Sequence, residues 1–412
     1  MNSYIVPMGP IKQSTLYDIK VEKAEGTYIF GDDGKKYLDL RSGLWNVSLG
    51  YNKKLYKEIN TAFSEILFKG TPYIDIHSYE HTYYDAFAKA LLDFINYKDS
   101  DFHKVFYTNS GSEGTELAIK LSRQVNTEKR KIVSFKEGYH GTFFGGMAVS
   151  GLDEKVTEVY SPKLQNFEFL SAPTENESLN FTIDYLETYS SEIAAFFIEP
   201  VVGSSGTLII DDMALNMIME TCKKNNIIVV FDEVATGFYR TGKRFRFQGL
   251  AYKPDILVLS KSINNGVLPF GTVVINQKVE ELIGSSHIEH FSTQNGNILG
   301  VISALKTLEY YKELDVLIKE NVKDLEMIYT EALSKENLLF RGQGAMLSIP
   351  LKNQSTMFLL IKRLKEFGIL TYYYISPLGE CGLTIFPPLI MEKTKFQKSL
   401  KMIIKMIKKT IV

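Results

Sequence analysis

Cysteine is nearly absent from this chain of 412 residues, with Cys222 and Cys381 its only two. Two cysteines provide no disulfide framework, and their spacing suggests no metal site. Long apolar runs are missing as well; none approaches the roughly 18 to 20 residues of a transmembrane helix. The opening Met1 to Pro10 has neither a basic stretch nor a long apolar one, so no signal peptide is expected. Charge of one sign is also lacking: 47 Lys and Arg face 48 Asp and Glu, a formal net charge of −1. That balance removes the bulk attraction on which a nucleic-acid binder depends. Repeats, low-complexity tracts and obvious linkers do not occur. What remains is a soluble globular protein, expected in the cytoplasm, with no nucleic-acid partner, no membrane and no metal.

The hydrophobic content is 45% and the charged content 23%, with 24 Tyr and 26 Phe but a single Trp. A chain this long buries a large core and has room for two or three domains. Between about 80 and 275, helical patterns alternate with short apolar runs such as Lys131 to Phe135, Ala195 to Ile198 and Ile227 to Phe231. Alternation of that kind predicts an α/β fold, a mainly parallel sheet with helices on both faces. Residues 15–50 read as short strands around the turn Gly31-Asp32-Asp33-Gly34. Beyond about 300 come long charged helices and a smaller α+β unit. The expected division is 1–50 joining the small domain, 51–295 as the large domain and 296–412 as the C-terminal small domain. In the last segment Phe396, Leu400, Ile403, Ile404, Ile407 and Ile411 fall on one helical face, which predicts packing on its own domain rather than on a membrane surface.

Three apolar runs end in an ionisable residue: Phe197-Ile198-Glu199, Ile227 to Asp232, and Ile256 to Lys261. Buried parallel strands that end this way place Glu199, Asp232 and Lys261 above the carboxyl edge of one sheet. A lysine there is able to form a Schiff base with a carbonyl, and an aspartate to hold a protonated ring nitrogen. Upstream, Asn109-Ser110-Gly111-Ser112-Glu113 leads into a helix with capping-box spacing between Ser110 and Glu113. Its N-terminus would bind phosphate, although a simple capped helix explains the same residues. Gly138-Tyr139-His140-Gly141 places a ring between glycines, while Ser292-Thr293-Gln294 is a polar loop before another helix.

The order of these pieces resembles the class III aminotransferases, the pyridoxal phosphate enzymes that include ornithine and ω-amino acid aminotransferases and glutamate-1-semialdehyde aminomutase. The likeness runs from Gly43-Leu44-Trp45-Asn46-Val47 through Asp232-Glu233-Val234 and Ser260-Lys261 to Arg341-Gly342-Gln343-Gly344. It implies the pyridoxal phosphate-dependent transferase fold type I. It also implies Lys261 as the Schiff-base lysine and proton carrier, with Asp232 as partner of the pyridine nitrogen. Gly111 and Ser112 would cup the phosphate, Tyr139 and Val234 would sandwich the ring, and His140 and Glu199 would lie beside it. Thr293 would reach the phosphate of a second subunit, making a homodimer with shared active sites.

One departure bears on substrate. The family often carries Arg-x-x-Pro-Pro-Leu, in which the arginine grips a carboxylate; here Thr384 stands in its place, before Pro387-Pro388-Leu389. Arg41, Arg240 and Arg341 are the alternatives, of which the latter two lie in family-wide motifs. With Trp45 and Tyr372-Tyr373-Tyr374, the missing arginine suggests a roomy aromatic pocket. The expected reaction is transamination between a small-molecule amino donor and a carbonyl acceptor that lacks a carboxylate beside the reacting carbon. An aminomutase or racemase on the same cofactor is the alternative.

Overall fold

The computed structural model describes residues 5–8, 19–96, 100–152 and 154–411. Residues 15–18, part of the expected N-terminal strand region, and the side chain of Ile411 lie outside this description, as does most of the opening decapeptide. The first strands are β1 (Val21–Glu25), β2 (Tyr28–Gly31) and β3 (Lys36–Asp39), an antiparallel meander whose second turn is the expected Gly31 to Gly34 segment.

The central sheet uses β4 (Phe102–Thr108), β5 (Lys131–Phe135), β6 (Phe167–Leu170) and β7 (Ile193–Ile198). After a two-stranded ribbon, β8 (Val201–Val202) with β9 (Leu208–Ile209), it continues with β10 (Ile228–Asp232), β11 (Ile256–Leu259) and β12 (Gly271–Asn276). The strand order is β4-β12-β11-β10-β7-β5-β6, with β12 antiparallel to both neighbours and the other pairings parallel. The mainly parallel sheet anticipated from the alternation is therefore present.

Side chains of β7, β10 and β11 divide between two cores with the two-residue period of a strand. Phe196, Ile198, Val229, Phe231, Leu257 and Leu259 enter one core; Ala195, Phe197, Ile228, Val230, Ile256 and Val258 enter the other. Burial on both faces explains why these runs are continuously apolar rather than alternating. The helix Gly111–Val125 covers the second face with Leu117 and Leu121 buried and Val125 packed beside them. A Cβ on Gly114 would stand 2.8 Å from Val258 Cγ1, so the helix approaches the sheet as closely as it does because that position is glycine.

The C-terminal part holds β13 (Arg341–Gln343), β14 (Met346–Leu351), β15 (Ile369–Leu370), β16 (Tyr372–Ile375) and β17 (Cys381–Ile385). β13, β14, β17 and β16 form an antiparallel sheet, and β15 pairs in parallel with β3, so N-terminal and C-terminal segments share a sheet. In the last helix, Lys393–Ile411, Phe396, Leu400, Ile403, Ile404 and Ile407 are buried in the main core, as the facial pattern predicts. Among the described residues no helix is long and apolar enough to cross a membrane.

Arg240 ties these parts together. It is fully buried, and its guanidinium donates to the carbonyls of Pro387 (2.6 Å) and Ala345 (3.3 Å) and to Ser48 Oγ (2.7 Å). Arg240→Met would leave the two buried carbonyls without these donors. The expected cost is about 3 kcal/mol or more, seen as a lower denaturant midpoint at unchanged m-value; an unchanged midpoint would contradict the assignment.

Candidate active site

Glu199 follows the last residue of β7, Asp232 ends β10, and Lys261 stands two residues past β11. These strands are neighbours, so their parallel register delivers all three groups to one edge. Lys261 has φ +45°, a left-handed conformation unusual for a residue with a side chain. It opens the one-turn helix Lys261–Asn264, preceded by Ser260, whose hydroxyl donates to the Phe270 carbonyl at 2.7 Å. Strain of this kind costs about 1 kcal/mol or more, and packing on both sides holds it.

Asp232 is buried. Its Oδ2 lies 2.8 Å from His140 Nδ1, and its Oδ1 accepts from the Val234 backbone at 3.0 Å. Those two contacts fix the carboxylate plane. Glu199, also buried, accepts from the Tyr139 backbone at 2.8 Å and from Gly203 at 3.4 Å. Lys261 Nζ sits 4.8 Å from the centre of the Trp45 ring, whose other neighbour is Phe386, stacked at 4.5 Å.

The electrostatics follow from that crowding. Burial pushes the Lys261 ammonium below its ordinary value, against the attraction of Asp232 and Glu199. A lysine so tuned supplies the neutral amine that attacks a carbonyl. Burial raises the Glu199 carboxyl to about 7, with Asp232 adding to the rise and His140 opposing it. For His140, burial pulls downward, but the bond to Asp232 and the charges of Asp232 and Glu199 prevail, and the imidazole is held above its usual range.

Gly111 and Ser112 open the helix Gly111–Val125 behind the N-cap Ser110, whose Oγ accepts from the Glu113 backbone at 3.1 Å. The expected capping box is half realised: the Glu113 carboxylate reaches back to the backbone of Asn109 rather than to that of Ser110. A Cβ on Gly111 would meet Val234 Cγ2 at 2.9 Å, and Gly141, at φ +115°, would meet Ser112 Oγ. The cradle is therefore open because glycine fills it, with free N–H groups and a helix dipole suited to a phosphate. Lysine, ring-facing acid, apolar Val234 and phosphate cradle are the donor set that a phosphorylated pyridine aldehyde needs, so the residues fit pyridoxal phosphate.

The structure thus gathers Trp45, Gly111, Ser112, Tyr139, His140, Glu199, Asp232, Val234 and Lys261 around one place. Thr293 is not among them. It is exposed, on the wall of a separate cavity of about 600 Å³ with Tyr73, His77 and Phe291. Thr384 is buried in β17, two residues before Phe386, with no hydrogen-bond partner for its Oγ1 within the described chain. Two of the candidate arginines are committed elsewhere, Arg240 to carbonyls and serines and Arg341 to Gly206, Tyr374 and Glu380, while Arg41 stands 3.6 Å from Asp39 with no hydrogen bond from its Nε among the described residues.

Three hydrogen bonds escaped sequence reasoning. Asn265 accepts from Leu49 N at 2.8 Å and donates to the Gly50 carbonyl at 2.9 Å, and Ser262 and Ser48 share a hydrogen bond. Together they fasten the Trp45 segment to the loop that follows Lys261. The only sequence signal was that Asn264-Asn265 departs from the family pattern, which does not reveal a partner some two hundred residues away.

Aminotransferase class-III is the family that matches, over residues 10–407. The chain is 30% identical over 394 residues to the acetylornithine aminotransferase of Lactococcus lactis, covering 93% of this chain and 96% of that protein. It is 30% identical over 431 residues to the adenosylmethionine-8-amino-7-oxononanoate aminotransferase of Methanocaldococcus jannaschii, covering 90% and 89%. Among solved structures, a transaminase from the marine bacterium Virgibacillus superposes with a TM-score of 0.90 at 26% identity, over 99% of this chain and 97% of that one.

The raised carboxyl of Glu199 has a measurable consequence. A folded-state pKa near 7, above the roughly 4.3 of an unfolded glutamate, means that ionisation costs stability progressively across that window. Glu199→Gln never ionises. Its stability relative to the parent is expected to improve as pH rises from about 5 to about 7 and to level off above, measured by chemical unfolding at a series of pH values. A difference that does not change with pH would contradict the burial argument.

Proposed function

We infer from membership of the class-III aminotransferases, the family to which this chain belongs, that the groups around Lys261 carry out amino-group transfer to or from a carbonyl without a neighbouring carboxylate. The fold is that of the type I pyridoxal phosphate enzymes, and the enzyme is a pyridoxal phosphate-dependent aminotransferase. The observation that carries the role assignment is the convergence of Lys261, Asp232 and the glycine-lined helix start on one sheet edge.

When bound, pyridoxal phosphate supplies a carbonyl carbon for covalent attachment and a ring that draws electrons from it. Lys261 Nζ would hold that carbon and, as a neutral amine, would take a proton from the substrate carbon and give it back. Asp232, fixed by His140 and Val234 N, keeps a proton on the ring nitrogen by its opposite charge. Gly111 and Ser112 would bind phosphate through N–H groups, Tyr139 and Val234 would bracket the ring, and Glu199 holds the Tyr139 loop through its backbone. Trp45 and Phe386 shut water out on the lysine side.

The substrate reading rests on the arginines. A carboxylate brought into this neighbourhood meets Glu199 and Asp232, while Arg240 and Arg341 are engaged elsewhere, Arg41 stands beside Asp39 and Thr384 offers only a hydroxyl. Desolvating an unpaired anion there is costly. An amine, aldehyde or ketone whose carbon next to the reacting centre is neutral avoids that cost. Exposed Thr293 is assigned to the cofactor phosphate of a second copy, which makes the working form a homodimer with shared sites; exposed Phe143, Phe144 and Phe291 supply apolar surface for such a contact. Two free, buried thiols suit the reducing cytoplasm.

The test is a half-reaction. Enzyme loaded with cofactor and given an amine, or that amine bearing an added α-carboxylate, is expected to lose its lysine-bound absorbance at least about tenfold faster with the amine, a difference of 1.4 kcal/mol in barrier. Faster reaction with the amino acid of every pair would overturn the substrate reading. Persistent absorbance with all donors, alongside conversion of an amino-aldehyde, would replace transfer by an isomerisation.

A further inference from the structure

Glu113 has no part in the chemistry above, yet both oxygens of its carboxylate are taken. Oε2 accepts from the backbone and the side-chain amide of Asn109, each at 2.9 Å. Oε1 accepts from Asn295 Nδ2 at 2.6 Å and lies 3.5 Å from His290 Nε2. Asn295 is buried, and its own oxygen accepts from Ser292 N at 2.6 Å, while Asn109 Nδ2 also reaches Ser292 Oγ at 3.4 Å. Burial opposes the charge, but the contacts from His290, Asn295 and Asn109 outweigh it and hold the carboxyl down to about 2, so the group is an anion throughout the working range.

The clasp has two sides. One oxygen grips the end of β4, from which the phosphate cradle begins; the other grips the loop that carries Thr293. That loop is also a partition. His290 and Phe291 line both the cavity of about 600 Å³ that holds Thr293, Tyr73 and His77 and a second one of about 780 Å³ bounded by Asn109, Ser110, Leu268 and Pro269. None of the side chains grouped around Lys261 lines the Thr293 cavity. The exposed tip is therefore tied to its own cradle, while its threonine lines a cavity to which none of those side chains contributes.

We propose that Glu113 is a positioning residue that holds the Thr293 loop of one protomer where it completes the cofactor site of the partner. The inference rests on the shared-site reading given above and adds the residue that sets the loop. Glutamine is an informative replacement. Its oxygen satisfies Asn109 or Asn295 but not both, because its amide then points a donor at a donor. Asn295 cannot turn its amide to compensate without losing Ser292 N. Asn295→Ala, which cuts only the loop side of the clasp, serves as the second variant.

Mixed dimers of two differently tagged chains separate action across the interface from local damage. In the first, a Lys261→Ala, Glu113→Gln protomer pairs with an unaltered one; in the second, a Lys261→Ala protomer pairs with a Glu113→Gln one. Only the protomer that keeps Lys261 gives the lysine-bound absorbance, so titrating cofactor-free dimer with pyridoxal phosphate reads one site at a time. The first dimer is expected to bind the cofactor about tenfold more weakly, the loss of one charge-assisted hydrogen bond, and the second to be weakened less, because there Glu113→Gln touches only the cradle of its own chain. Asn295→Ala is expected to repeat this pattern. Weakening in the second dimer alone, in both equally, or in neither overturns the proposal. Thr293→Ala in the same two arrangements tests the underlying reading: no effect across the interface, or a chain that sediments as a monomer, means that the shared site itself is wrong.

Discussion

Two carboxylates and a lysine share one water-poor edge of a parallel sheet, and their mutual neutralisation is the constraint to which the surrounding structure answers. An isolated buried charge is expensive, so each of these groups has partners assigned to it. Asp232 is held by His140 and a backbone N–H, Glu199 by two backbone N–H groups, and Lys261 by the field of both acids. The balance is incomplete by design of the fold: Lys261 leans towards its neutral form and Glu199 towards its protonated one. A lysine eased towards its neutral form is suited to attack a carbonyl, the first event in moving an amino group.

Around that edge, distant segments are fixed by buried polar links rather than by covalent ones. Arg240 joins the Ser48 segment to the Pro387 turn, and Asn265 joins the Lys261 loop to Leu49 and Gly50. Between these links lies Trp45, itself in a left-handed conformation at φ +66°, like Lys261 at φ +45°. Strained backbone at both positions persists because packing on either side over-determines it. The aromatic wall of Trp45 and Phe386 is thereby set against the amine instead of being left to loop mobility.

How far the sequence reveals this varies with the range of the interaction. The strands β7, β10 and β11 are evident because burial on both faces demands continuous apolar runs, and their ionisable ends stand out against that background. The helix at Gly111 is evident from small residues and a cap, yet the carboxylate of Glu113 bonds Asn109 where the motif predicts Ser110. His140 is placed near the ring only through the family resemblance; that it bonds Asp232, 92 positions later, is settled by the fold. Asn265 and Ser262 carry no local signature at all, since their partners are set by the meeting of remote segments. Thr384 is legible only as a missing arginine; that its hydroxyl lacks a partner among the described residues is a property of the folded sheet.

The account depends first on which lysine receives the cofactor. Borohydride reduction of the loaded enzyme, proteolysis and mass spectrometry locate the resulting amine link directly. The account predicts a single adduct on the peptide containing Lys261, absent from Lys261→Ala. An adduct on another lysine, such as Lys120, or the same adduct in the variant would contradict it.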